Sequence, residues 1–234
     1  MRTLRQIAFA LLLLASVSAV AAEVIDGVFA TVNHKPVLQS DWDDAVRFEA
    51  FMQQKPLAEV TESDRVGALQ RLIDRLLLEI QMSDPNYLAP TPEEVRASVA
   101  DLRQQIPGAK EDQAWRNAMA AYGFKERDIE ANLRKEKQVM NFIEVRLRPN
   151  VHVQPEEIEA YYRKQVVPDM ERAGVKIVTL QELEPKIHEL LVQQHMDELL
   201  DSWLHNLRQQ SQIHSTILLP SSSFLAGSEA SGGN

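Results

Sequence analysis

The chain has 234 residues, with 34 Asp and Glu against 25 Lys and Arg, a formal net charge of −9 and no cysteine. The acidity argues against a nucleic-acid partner, whose phosphates call for a basic face. The lack of cysteine removes disulfides, Fe–S clusters, zinc knuckles and thiol nucleophiles together.

Residues 1–22 read MRTLRQIAFALLLLASVSAVAA. Arg2 and Arg5 form a positive start, Ile7 to Val17 an apolar run, and Ala19, Val20, Ala21 and Ala22 a small-residue cleavage zone. A membrane-spanning helix needs about 20 apolar residues, so this shorter run reads as a cleavable secretory signal. Its loss would take Arg2 and Arg5 with it and move the net charge from −9 to −11. The expectation is an exported domain, residues 23–219, held by its core alone.

Val24 to Leu38 is rich in β-branched residues and turns at Asn33-His34, a small hairpin. Pro36 lacks an N–H, so the second arm should be short and at a sheet edge. Ser40-Asp41-Trp42-Asp43 resembles a capping box, with Ser40 as N-cap, for a helix ending at Pro56. Thr61-Glu62-Ser63-Asp64 opens the strongest core helix. There Val66, Leu69, Leu72, Ile73, Leu76, Leu77 and Ile80 share a stripe, and Asp74 and Arg75 should face solvent.

Thr91-Pro92-Glu93-Glu94 starts a helix to Ile106. A short helix follows around Ala114 to Ala121, then a long one from Glu126 to Val145, broken at Pro149. Gln154-Pro155-Glu156-Glu157 opens another, expected to run to Pro168. Asp169 to Glu184 reads as a connector with an extended piece at Val175 to Val178, after which Pro185 should begin the last helix. Met196, Leu199, Leu200, Trp203, Leu204 and Leu207 line one face of it. Gln212 to Leu218 is a closing strand, and residues 220–234 form a tail that is disordered by composition. An isolated hairpin is marginal in water, so the closing strand should join it. The fold expected is mainly α, many helices with a small hairpin joined by a C-terminal strand.

Motifs for chemistry are scarce. His188-Glu189 begins like a zinc-protease HExxH, but Val192 stands where the second His belongs. Glu93-Glu94 and Glu156-Glu157 follow prolines in first helical turns, where acids suit the helix dipole. No catalytic residue, metal ligand or cofactor is assigned. Large flexible and aromatic side chains outside the two clearest stripes make adaptable apolar surface, and these are the candidate binding residues: Phe48, Phe51, Met52, Trp115, Met119, Phe124, Met140 and Phe142.

The stretch VIDGVFATVNHKPVLQSDWD followed by GALQRLIDRLLLEIQ resembles the N-terminal domain of SurA-type periplasmic chaperones. The family's pattern falls on Ala30, Val32, Asn33, Val37, Ser40 and Asp41, and its leucine-rich helix on Leu69, Leu72, Ile73, Asp74 and Leu77. Pro155 to Tyr162 is similar to the helix that leads out of that domain, and Leu183 to Ile217 to the closing helix and strand. In the family, parvulin-type prolyl isomerase domains lie between those two parts. Here only Arg163 to Glu184 stands in that place, too few residues for such a fold. The resemblance implies an ATP-independent chaperone core without isomerase activity. Its partners would be unfolded envelope or outer-membrane polypeptides, with no nucleic acid and no membrane span once the signal is removed; a homodimer is compatible with it. Two alternatives stand beside this reading: a prolyl isomerase relative with residual activity, and an exported helical adaptor with one fixed partner.

Overall fold

The structure, a computed structural model, describes residues 26–82, 84 and 86–217. The expected signal and the expected tail lie outside these residues.

Strands β1 (Val28–Val32) and β2 (Lys35–Leu38) form the hairpin. Asn33 and His34 turn it with φ of 48° and 69°, the type I′ geometry that matches strand twist. The Asn33 amide also reaches the far end of the chain. It donates to Ser211 Oγ at 3.0 Å and accepts from the Gln212 N–H at 2.9 Å. Strand β3 (Ile213–Ser215) then pairs antiparallel with β1, giving the order β2-β1-β3. The C-terminal strand thus closes onto the hairpin, and Pro36 sits on an outer strand, where a missing N–H disturbs no ladder.

Helix α1 (Gln39–Met52) begins one residue after β2, and this displaces the expected cap. The Leu38 N–H donates to Asp41 Oδ2 at 3.0 Å, while Ser40 is held through its N–H and hydroxyl by the Asp26 carboxylate. Trp42 then anchors the sheet. Its ring lies 4.1 Å from that of Phe29, its indole N–H donates to the Arg65 carbonyl at 2.7 Å, and the Arg65 guanidinium covers it at 4.5 Å.

Helix α2 (Glu62–Gln81) starts at the expected capping box. Thr61 Oγ1 accepts from the Asp64 N–H at 3.2 Å, and Asp64 Oδ2 accepts from the Thr61 N–H at 2.7 Å. Lys55, 2.5 Å away, together with these Thr61 bonds, holds the Asp64 carboxyl down at about 2. α2 packs against α1, β1 and the later helices α5 and α8, so its stripe is the centre of the main core. Asp74 overturns the solvent-facing expectation: it is 0% exposed. Arg208 of the last helix donates to Asp74 Oδ1 at 2.6 Å and to the Gln70 carbonyl at 3.2 Å. The stripe is therefore interrupted by a buried ion pair and not by a solvated acid.

Helix α3 (Pro92–Gln105) starts at the expected Thr91 and Pro92, and Thr91 and Glu94 complete a capping box there. Helices α4 (Asp112–Ala120) and α5 (Glu126–Leu147) follow. α5 serves two cores: Ile129 and Leu133 join a cluster with α1, α3 and α4, whereas Val139, Ile143 and Leu147 join the main one.

Beyond α5 the expected boundaries shift. Helix α6 (Pro155–Tyr161) does not stop at Pro168; it passes through a π turn, Tyr162–Val166, into α7 (Val167–Ala173). The π turn lies just upstream of Pro168, whose ring would press on the carbonyl four residues back in a regular helix. Gly174, at φ 64°, ends α7 in the left-handed cap that glycine favours. Val175 to Val178 forms no strand; Val175 and Ile177 are exposed in a loop tied down by the Tyr162 hydroxyl, which donates to the Val178 carbonyl at 2.8 Å. Helix α8 (Leu180–Gln210) begins five residues before Pro185. The early turn is held because Leu180 and Leu183 pack on Tyr161, Tyr162 and Ile158 in a third small cluster.

Candidate functional site

Of the eight candidate binding residues, six are core. Phe48, Phe51, Trp115, Met119 and Phe124 fill the cluster between α1, α3, α4 and α5, and Phe142 is buried on α5 against Trp203. Phe51 alone meets the rings of Trp115, Tyr122 and Phe124 at 5.9, 5.4 and 6.4 Å. The buried rings spend most of their surface on one another, although Phe124 also reaches the wall of one surface cleft and Phe142 that of another. Met52 and Met140 remain exposed, at 38% and 53%.

The histidine and acid motifs are also absorbed. Glu189 binds Arg148 at 2.7 Å, and His195 lies 3.2 Å from Glu157. Among the described residues no three His, Asp or Glu side chains gather as metal ligands, and no helix is long and apolar enough to cross a membrane.

Two clefts remain. The first, about 480 Å³, lies between β2, α1, α2 and α5 and is walled by charged side chains. Several are engaged in the fold: Arg47 pairs with Asp44 and donates to the Tyr122 carbonyl, Arg75 pairs with Glu79, and Asp41 and Asp128 cap helices. Gly123 makes that Arg47 contact possible, since a Cβ there would lie 2.6 Å from the guanidinium. Below this cleft Glu136 of α5 faces Arg75 and Glu49; burial outweighs the Arg75 charge and pushes its carboxyl up to about 7.

The second cleft, about 590 Å³, opens between the end of α2, the C-terminal half of α5 and α8. Phe142, Val145, Arg146 and Pro149 supply one wall, at the spacing that puts residues on one helix face. Trp203 of α8 supplies the other, its ring centre 5.8 Å from that of Phe142. Tyr87 closes the side. Its loop is strapped along α5 by three side chains at helical spacing: Arg134 donates to the Pro90 carbonyl at 3.3 Å, Gln138 to Tyr87 at 3.0 Å and Asn141 to Leu88 at 3.1 Å. Leu88 accepts a left-handed φ of 57° to make this path, a strain of about 1 kcal/mol or more for a non-glycine residue. Tyr87 and Val145 are left 46% and 50% exposed.

Sequence reasoning named only Phe142 from this cleft. Trp203 was placed on the core face of α8, yet Met196, Leu200, Leu204 and Leu207 are the buried line, and Leu199 and Trp203 lie on its flank. That one-residue offset from the buried line was the available signal. Tyr87 and Arg146 carried none.

No family model matches the chain, and no curated protein matches it.

Proposed function

We propose that the chain is an exported, ATP-independent chaperone of the SurA type, which holds unfolded envelope or outer-membrane polypeptides at the cleft between α5 and α8. The cleft carries the reading. It presents the exposed side chains of Tyr87 and Val145 and the partly exposed Trp203 ring, beside the buried ring of Phe142. Such half-exposed aromatic surface marks interaction sites. The order of elements supports the reading as well. A hairpin, a leucine-rich helix, and a closing helix and strand that return to the hairpin follow the sequence of the family's motifs. Between Arg163 and Glu184 stand only the π turn, α7, a loop and the start of α8, so prolyl isomerisation is not part of the proposal.

The energetics suit holding and release. An aromatic client side chain buries roughly 150–250 Å², a gross gain of about 4–6 kcal/mol at 25 cal/mol per Å². Lost translational and rotational freedom offsets most of it. Binding at one cleft is therefore weak and quickly reversible, and no nucleotide is needed for release. The acidic exterior keeps a loaded complex soluble.

Light scattering of an unfolded outer-membrane porin diluted from denaturant tests the proposal. Equimolar full-length protein should suppress aggregation, and a Trp203→Ser variant should suppress it less. Unchanged scattering with the wild-type protein overturns the reading.

A further inference from the structure

Arg146 is out of keeping with the rest of the protein. Among the described residues, every other arginine guanidinium meets an acid, an amide or a backbone carbonyl. Arg47, Arg65 and Arg71 bind acids of α1; Arg96, Arg163 and Arg172 bind acids within their own helices; Arg103 and Arg208 bridge between elements. Arg75, Arg127 and Arg148 pair with glutamates or an aspartate, Arg116 donates to Gln113, and Arg134 holds the Pro90 carbonyl. The Arg146 guanidinium has no such partner, although acids outnumber bases in the chain.

The cause is local sequence. Phe142, Ile143, Pro149 and Asn150 occupy the positions three and four residues away, where Arg148 has Glu144. Arg146 instead lines the second cleft with Gln81 and the aromatic side chains, one helical turn from Phe142 and next to Val145. An exposed guanidinium that meets no acid among the described residues, beside the rings of Phe142 and Trp203, is suited to pair with a carboxylate that a ligand brings.

We propose that this cleft selects client segments in which a large apolar or aromatic side chain is followed closely by an acidic one, the ring entering beside Phe142 and Trp203 and the carboxylate pairing with Arg146. The inference rests on the chaperone reading of the same cleft and deepens it. The carboxylate comes from a side chain and not from a chain terminus. Terminal carboxylates are captured by groups of backbone N–H donors. The backbone beside Arg146 is the C-terminal end of α5, which offers carbonyls.

Fluorescence anisotropy with the full-length chain tests this. Three dye-labelled peptides in a Gly/Ser background are compared: an amidated one containing Phe-Ser-Glu, an amidated one containing Phe-Ser-Gln, and one ending in Phe with a free carboxylate. The Glu peptide should bind about fivefold tighter than the Gln peptide, the upper end of what a partly exposed ion pair gives. Arg146→Gln should bring that ratio to about one. Salt at about 0.5 M should shrink the ratio in the wild type. Equal binding of the Glu and Gln peptides by the wild type, a preference that survives Arg146→Gln, tightest binding of the free-terminus peptide, or no binding of any peptide overturns the proposal. Equal binding with porin aggregation still suppressed overturns the carboxylate site and leaves the chaperone reading standing. Clear Glu preference with aggregation unaffected does the reverse.

Discussion

The two large cores are built from different material and by different routes. The main core is aliphatic and joins the ends of the described chain: Val32 and Val37 of the hairpin meet Leu69, Leu77 and Leu78 of α2, and Leu200, Leu204 and Leu207 of α8. The second takes its residues from Phe48 to Leu133 and fills its volume with Phe48, Phe51, Trp115, Met119 and Phe124. The end of α1 and the start of α5 meet α3 and the nine-residue α4 here, and a few large rings fill the space among them. The contrast explains why a concentration of Phe, Trp and Met misleads as a binding signal here. In the second cluster those rings are spent on internal volume. Aromatic surface that stays open lies on the flank of the main core, where Trp203 sits one residue off the buried line of α8.

The largest expected effect bears on the main core's closure. Arg208→Ala strands the fully buried Asp74 carboxylate without its guanidinium and should cost about 3–5 kcal/mol, read as a lower midpoint of urea unfolding. A cost under 1 kcal/mol would mean that the α2–α8 tie is not what closes the chain ends together.

Next comes a pair of truncations, one in each core. Leu77→Ala should cost about 2–5 kcal/mol and Phe51→Ala about 3–5 kcal/mol. Amide hydrogen exchange separates them. Leu77→Ala should speed exchange throughout, whereas Phe51→Ala should speed it in α3 and α4 while β1 and the end of α8 keep most of their protection. Equal loss of protection everywhere with Phe51→Ala would merge the two cores into one cooperative unit.

The smallest effect tests the seam between them, where Glu136 faces Arg75 and Glu49. Its carboxyl is raised from an ordinary 4.5 to about 7, so the folded state holds a proton that the unfolded chain has lost over that range. Its cost to stability is absent below about pH 4.5, grows as pH rises and is complete above pH 7. Glu136→Gln should therefore match the wild type in acid and exceed it at pH 8 by about 1–2 kcal/mol, an amount discounted for water at a half-buried site. Thermal unfolding of both proteins across that pH range checks it. A variant that is no more stable at pH 8 would show the seam to be wet.

Much of the fold is legible because it is written locally. The capping box at Thr61, the helix start at Thr91-Pro92, the stripe of α2 and the turn at Asn33-His34 each need only neighbours a few residues away, and each is found. Misread boundaries share one feature, a nearby element that a local rule does not see. Asp26 takes Ser40 from its capping role, the π turn carries the helix past Pro168, and the third cluster extends α8 ahead of Pro185. The candidate site was harder still. Of the residues lining the apolar cleft, Phe142 alone was named, because composition ranks side chains by type and says nothing of which ring has a neighbour to cover it.

By itself, the sequence determined the helix periodicities, the caps, the hairpin and the need for a third strand, since these follow from hydrogen bonds and side-chain spacing within a short stretch. Only the tertiary structure decided that Asp74 is buried, that the aromatic cluster is core, and that Arg146 lines a cleft beside Phe142 and Trp203 and meets no acid among the described residues. Those outcomes depend on pairs such as Asp74 and Arg208, 134 residues apart, and no local rule specifies which distant side chains meet.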